Sequence, residues 1–375
     1  MRSEDAARPI SFVTSYGRIE TMALKAGVCG IGSFYSNAFA RSAIRNPDIE
    51  LAAYAHLDQS NETLGRLGMK SREAFGDQYG IRAYATVPEM VRAESLDLVF
   101  VTCPDDLKPQ QAASAMDAGA HAYISKPMCM TLSGADAMID ASQRNGVLVS
   151  ALLPGREDGA IRAMGTRVQN GAVGRVITSR AWIQHGCFGP GTVFDGSGEF
   201  GPGQGGIGLS LGVYAADLLL WLIDSPAARA FAEYDNLATP HSIWMDSGKG
   251  TVRFQDGRMG SMDIIFNVSC GAPAWEMEVV GTEGIARAHL DVMEGIVWHK
   301  DDKGAPRVFY RAQNDTIDAA VERFVRSVKD GHPLDVTPEH ARNVLELCLA
   351  WNRAAAEHRA VDLPLPDGGR RIRYF

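Results

Sequence analysis

Extended runs of lysine or arginine are missing from the 375 residues, and the formal net charge is −8. Counterion release needs a concentrated positive face, so this balance argues against a nucleic-acid or anionic-membrane partner. No C-x-x-C pair occurs among the six cysteines (Cys29, Cys103, Cys129, Cys187, Cys270 and Cys348), which are scattered through apolar patterns. They read as reduced thiols in a cytoplasmic protein. His185 and Cys187 stand close together, but no further ligand follows at a suitable spacing, so no metal is expected. Long hydrophobic runs are also lacking. The longest, Val213 to Ile223, is interrupted by Asp217 and falls short of the ~20 residues of a membrane span. Residues 1–22 lack the apolar core of a signal peptide and are expected to form a polar extension outside the fold.

What the chain has in excess is glycine. Its 39 glycines show no fixed period and sit beside apolar runs, so they belong to turns and close backbone contacts. The length calls for two domains. From Leu24 onward short apolar strands alternate with amphipathic helices. The strands are Ala26 to Cys29, Ile49 to Ala55, Leu98 to Val101, Ala122 to Ser125 and Val147 to Leu153, with a polar helix around Glu62 to Phe75 among the helices between them. Leu98-Val99-Phe100-Val101 is too continuously apolar for a half-exposed strand, and the rhythm predicts a doubly wound parallel sheet over 23–150. After Gly174 strand patterns follow one another, with a hairpin signal at Asp256-Gly257. Residues 151–375 are therefore expected to form an α+β domain with a mostly antiparallel sheet.

Gly30-Ile31-Gly32-Ser33-Phe34-Tyr35 lies between a strand and a helix, the context in which G-x-G-x-x-G cradles a pyrophosphate. The glycines permit a tight turn and close approach, and the helix N-terminus supplies N–H donors. Tyr35 replaces the third glycine. A formally complete match, Gly201-Pro202-Gly203-Gln204-Gly205-Gly206, follows a polar loop rather than a strand and reads as a lid. At the end of the second strand, where an acidic residue normally holds the adenosine ribose, stands His56, with Asp58 two residues on. The choice between NAD and NADP is open at this point.

Thr102-Cys103-Pro104 and Ser125-Lys126-Pro127 end two strands, and Gly205 to Asp217 (GGIGLSLGVYAAD) opens the helix of the second half. With Gly30-x-Gly32, Val279-Val280-Gly281-Thr282-Glu283-Gly284 and Pro333 to Glu339, they resemble the glucose-fructose oxidoreductase, inositol dehydrogenase and rhizopine catabolism (Gfo/Idh/MocA) family over about residues 23–365. The resemblance implies an N-terminal Rossmann domain, a C-terminal domain with an open antiparallel sheet, a nicotinamide cofactor, NAD or NADP, and dimers or tetramers built on that sheet. Its members mostly oxidise or reduce a secondary alcohol of a sugar or cyclitol. Lys126 falls on the lysine of the family's E-K-P motif, beside nicotinamide and the reacting hydroxyl, with Ser125 in place of the glutamate. In the family's D-x-G-x-H-x-x-D helix this chain has Ser210 and Tyr214 for the first Asp and the His, and keeps Gly212 and Asp217. Lys108 stands where a histidine often follows the T-x-P strand end.

Hydride transfer from an alcohol needs a proton acceptor at the same time. A phenol alone, with pKa ~10, is a weak base at neutral pH, and a neighbouring ammonium favours its ionised form. Lys126 and Tyr214 are thus the expected catalytic pair. Ser210, Asp217, Arg156 and His185 are the expected substrate contacts, and Trp182 and Trp244 are further pocket candidates. Gly30, Ile31, Gly32, Ser33, Phe34, Tyr35, His56, Cys103, Pro104, Lys126 and Pro127 are expected around the cofactor. Two other readings stay open, a redox-assisted enzyme that cleaves glycosides and a dinucleotide-binding protein without turnover.

Overall fold

A computed structural model describes residues 22–66, 71–185, 206–237, 245–266, 274–289, 294–303, 307–310 and 315–366. Residues 1–21, Gly201 to Gly205 of the second glycine motif, Cys187, Trp244 and Cys270 lie outside them. The first unit runs β1 (Leu24–Cys29), α1 (Phe34–Arg45), β2 (Ile49–Ala55), α2 (Asn61–Arg66), α3 (Arg72–Tyr79), β3 (Arg82–Tyr84), α4 (Val87–Glu94), β4 (Leu98–Val101), α5 (Lys108–Asp117), β5 (His121–Ile124), α6 (Leu132–Asn145) and β6 (Val149–Ala151). All pairings are parallel and the spatial order is β3-β2-β1-β4-β5-β6. The order reverses between β1 and β4, which opens a crevice at the C-terminal ends of those strands.

Local chemistry explains the helix starts. Ser33, Thr86 and Thr131 each cap a helix by accepting an amide hydrogen bond three residues on. The single polar helix expected over Glu62 to Phe75 is instead two helices, because Ser71 caps a new start by accepting from Ala74 N.

The second unit begins with a 3₁₀ turn at Pro154–Glu157 and α7 (Gly159–Gln169), followed by β7 (Val176–His185), α8 (Gly206–Ser210) and α9 (Gly212–Ile223). It continues with β8 (Ala227–Asp235), β9 (Ser247–Phe254), β10 (Met259–Phe266), β11 (Ala274–Gly281), β12 (Gly284–His289), β13 (Glu294–His299) and β14 (Arg307–Tyr310). It closes with α10 (Thr316–Asp330), α11 (Pro338–Glu357) and β15 (Val361–Asp362). Nine strands form one sheet in the order β14-β13-β12-β11-β7-β10-β9-β8-β15, in which β7 and β10 pair in parallel and the other described pairs are antiparallel. Helix α9 is apolar nearly all round and its residues are buried apart from a half-buried Trp221, so it is the core helix under this sheet.

The boundary at residue 150 does not divide the packing. Helix α10 lies on the first unit, where Phe324 stacks on Tyr123 at 4.6 Å and extends an aromatic column through Phe39 and Phe100. Arg45 holds Asp315 at 2.9 Å and Asp318 at 2.7 Å across the same contact.

Candidate active site

The glycine turn lies against the C-terminal end of β4. Gly30 has φ +80° and a Cβ there would stand 2.4 Å from Cys103 Cα, so only glycine lets the turn meet the end of β4. Thr102 Oγ1 ties the two strand ends together, donating to Gly30 O at 2.6 Å and Cys29 O at 3.1 Å. Gly32 follows with φ +89°. Ser33 then caps α1, accepting from Ser36 N at 3.1 Å and donating to Thr102 O at 3.3 Å. The turn thus delivers the N-terminus of a helix to the crevice, and its first-turn amides are the donor set a pyrophosphate needs. Ile31 is buried in the core, and its amide donates to Gln59 Oε1 at 3.2 Å. Phe34 is exposed and Tyr35 half-buried, stacked edge-on at 5.3 Å.

Pro104 and Cys103 flank this turn at the end of β4, and Pro127 follows Lys126 at the end of β5. At the far end of β2, His56 N donates to Tyr84 O at 3.0 Å and His56 Nδ1 accepts from Asp58 N at 3.0 Å. The exposed Asp58 carboxylate lies 3.8 Å from that ring and 3.9 Å from Arg72.

Lys126 leaves the end of β5 and crosses to the second unit. Its Nζ donates to Ser210 O at 2.7 Å, stands 5.0 Å from the centre of the Tyr214 ring and 5.9 Å from that of Tyr35. Cations are attracted to ring faces at this range. Tyr214 is 6% exposed and packs on Trp275 with ring centres 4.7 Å apart. The structure therefore brings Lys126, Ser210 and Tyr214 together, with the serine contributing its carbonyl. His185, at the end of β7, belongs to the same region. Burial and, after it, the charge of Lys126 push its imidazole down to about 4. It is a neutral hydrogen-bonding group above that pH. Trp182, three residues earlier, stands on the opposite face of the sheet from His185 by the two-residue alternation of a strand.

Two expected substrate contacts are corrected. Asp217 is 0% and Arg156 2% exposed, and they bind each other: Arg156 Nε donates to Asp217 Oδ2 at 3.0 Å and Nη2 reaches Oδ1. His340 Nε2 lies 2.7 Å from Asp217 Oδ1, and Arg156 Nη1 donates to Asp335 O at 3.0 Å. Burial alone would raise the Asp217 pKa, but Arg156 and His340 outweigh it and hold the carboxyl below its usual range. The pair joins the 3₁₀ turn, α9 and α11 under the site and has no surface to offer a substrate. Sequence reasoning missed Trp275, which walls Tyr214. No sequence signal singled it out, because what brings it there is its place opposite Ile183 in the β7 to β11 register.

A helix N-terminus delivered to the C-terminal ends of β1 and β4, where the strand order reverses, is the arrangement of a dinucleotide-binding Rossmann fold. Residues 24–152 match the family model of an oxidoreductase family with an NAD-binding Rossmann fold, and residues 161–287 match that of the GFO/IDH/MocA C-terminal domain. The chain belongs to the Gfo/Idh/MocA oxidoreductase family, and its first unit is that family's NAD-binding domain. It is 29% identical over 212 residues to the 1,5-anhydro-D-fructose reductase of Ensifer adhaerens, a match covering 56% of this chain and 62% of the reductase. It is 23% identical over 290 residues to the myo-inositol 2-dehydrogenase of Thermotoga maritima, covering 75% of this chain and 84% of that enzyme. In fold it superposes on a levoglucosan dehydrogenase solved with NADH and L-sorbose with a TM-score of 0.77, at 17% identity over 92% of this chain and 100% of the other. No described helix is long and apolar enough to cross a membrane.

Proposed function

We propose that this chain is an NAD(P)-dependent oxidoreductase that moves a hydride between nicotinamide and a secondary alcohol of a sugar or cyclitol, or the corresponding ketone. The observation that carries this reading is Lys126, which ends a strand at the cofactor crevice and reaches Ser210 and Tyr214 of the second unit. A bound nicotinamide supplies or accepts the hydride. Gly30, Gly32 and the first turn of α1 bind the pyrophosphate. Tyr214 takes the hydroxyl proton during oxidation and returns it during reduction. Lys126 supplies the positive charge that favours the ionised phenol and orients the reacting oxygen. His185 offers the substrate a neutral hydrogen-bonding group in the same cleft.

The reductase and dehydrogenase relatives support 1,5-anhydro-D-fructose and myo-inositol as first substrates to try. Homo-oligomerisation through the outer face of the nine-stranded sheet is supported by the exposed Phe231, Met259 and Val308 on it. The buried free thiols Cys29, Cys103, Cys129 and Cys348 fit a cytoplasmic setting.

The test is a titration with NAD(H) and NADP(H), then absorbance assays at the nicotinamide band with both substrates and with glycosides. Tyr214→Phe and Lys126→Met should each lower turnover by ~10²-fold, the low end for loss of a general base. The two act as one unit, so the double variant should be little worse than the poorer single one. Full activity in Tyr214→Phe would place the base elsewhere. Aglycone release with no net change in cofactor would replace this reading with redox-assisted glycoside cleavage.

A further inference from the structure

Lys108 is the first residue of α5 and is 1% exposed. Its ammonium donates to Ser125 O at 2.8 Å and to Pro127 O at 2.8 Å, and lies 2.6 Å from Asp105 Oδ1. Three N–H donors meet three oxygens, so the group is fully used. Two of those oxygens are the carbonyls of Ser125 and Pro127, the residues on either side of Lys126. From this geometry we infer that Lys108 is a positioning residue for Lys126, clasping the main chain on both sides of it so that its side chain leaves β5 toward Tyr214 and Ser210.

Helix stability does not ask for a lysine here. A cation in the first turn opposes the helix dipole, and removing an ammonium from water is costly unless every donor is met. What the position does supply is reach, because a four-carbon stem spans from α5 to the loop after β5. Strand pairing holds the approach to this loop, with Ser125 N donating to Val101 O at 2.9 Å. Beyond that bond the clasp fixes the carbonyls of Ser125 and Pro127. The catalytic consequence rests on the reading of Lys126 given above, whereas the clasp itself is tested by where Lys126 stands.

The experiment uses the full chain labelled with ¹³Cε-lysine. The Lys126 cross-peak, assigned by its loss in Lys126→Arg, is expected to be displaced from those of exposed lysines by the ring currents of Tyr214 and Tyr35. Replacing Lys108→Met together with Asp105→Asn removes the ammonium and the carboxylate it would otherwise leave unpaired. In this variant the displacement should fall by half or more. Lys108→Gln keeps two amide donors on a shorter stem and should retain an intermediate displacement. An unmoved Lys126 signal in either folded variant overturns the clasp. Should the double variant fail to fold, Lys108→Gln decides alone.

Turnover separates the two ideas. With NADH and 1,5-anhydro-D-fructose, loss of the clasp should cut kcat about tenfold with the KM for NADH unchanged, and should cost nothing further on a Lys126→Met background. Equal losses on both backgrounds would mean that Lys108 only supports the fold. A collapsed displacement with full turnover in Lys126→Met would keep the clasp and sink the catalytic role of Lys126.

Discussion

Asp217→Asn tests whether the buried ion pair is structural or touches substrate. The substitution keeps the shape of the side chain but removes the charge that faces Arg156 Nε at 3.0 Å and His340 Nε2 at 2.7 Å. Arg156 is then a buried cation left with the Asp335 carbonyl, the His340 ring, the Trp221 ring face at 5.2 Å and the Asp335 carboxylate at 4.0 Å. Breaking one partner of a buried pair costs about 3–5 kcal/mol. Unfolding entropy near ~2.1 cal/mol/K per residue gives about 0.8 kcal/mol/K for a chain of 375 residues, so Tm should fall by about 4–6 °C. Calorimetry at neutral pH measures the fall, and steady-state assays measure KM beside it. Arg156→Met combined with Asp217→Leu should recover most of the loss, because apolar replacements of a buried pair are often neutral. The sign with pH follows from the lowered Asp217 pKa. Its stabilisation is full above the unfolded carboxylate pKa of ~3.9 and is lost as pH falls through the folded value. A variant with parental Tm and a raised KM for the sugar would refute the structural assignment.

Three further outcomes are expected. Gly32→Val places a branched side chain at φ +89° beside the pyrophosphate, and should abolish NADH binding at concentrations that saturate the parent while the far-UV spectrum persists; parental binding would make the turn purely structural. His56→Asp adds a charged acceptor for the ribose hydroxyls, worth ~1.5 kcal/mol, and should move the NAD to NADP affinity ratio about tenfold toward NAD by calorimetric titration. An unchanged ratio would remove His56 from the site. Burial and the charge of Lys126 push His185 down to about 4 against ~6.5 unfolded, so its contribution is full above pH ~6.5 and disappears as pH drops to about 4. His185→Gln should therefore lose less Tm than the parent between pH 7 and 4.5, and equal losses would contradict the lowered imidazole pKa.

Periodicity carried most of the fold. The alternation of apolar strands with amphipathic helices announces the parallel sheet, since strands covered on both faces must be continuously apolar. The same logic announced the succession of strands after Gly174. It did not reveal that α10 packs on the first sheet, because an amphipathic face built from Ala320, Val321, Phe324 and Val325 records that something covers it and not what. The break between α2 and α3 was hidden for a related reason: the capping value of Ser71 depends on the backbone turn it occupies.

Among site residues, those defined by backbone conformation were the most legible. Gly30 and Gly32 had to adopt left-handed turns, and only their position between a strand and a helix was needed to see it. The approach of Lys126 to Tyr214 came from motif positions 88 residues apart and from no local rule. The burial of Arg156 with Asp217, and of Lys108 against the carbonyls around Lys126, was invisible in the sequence. Charged side chains carry the same one-dimensional signature whether solvated, paired or clasping a main chain. Periodicity and turn chemistry are short-range and so were determined by the sequence alone, whereas which charges face one another depends on how distant elements pack, and that only the tertiary structure decided.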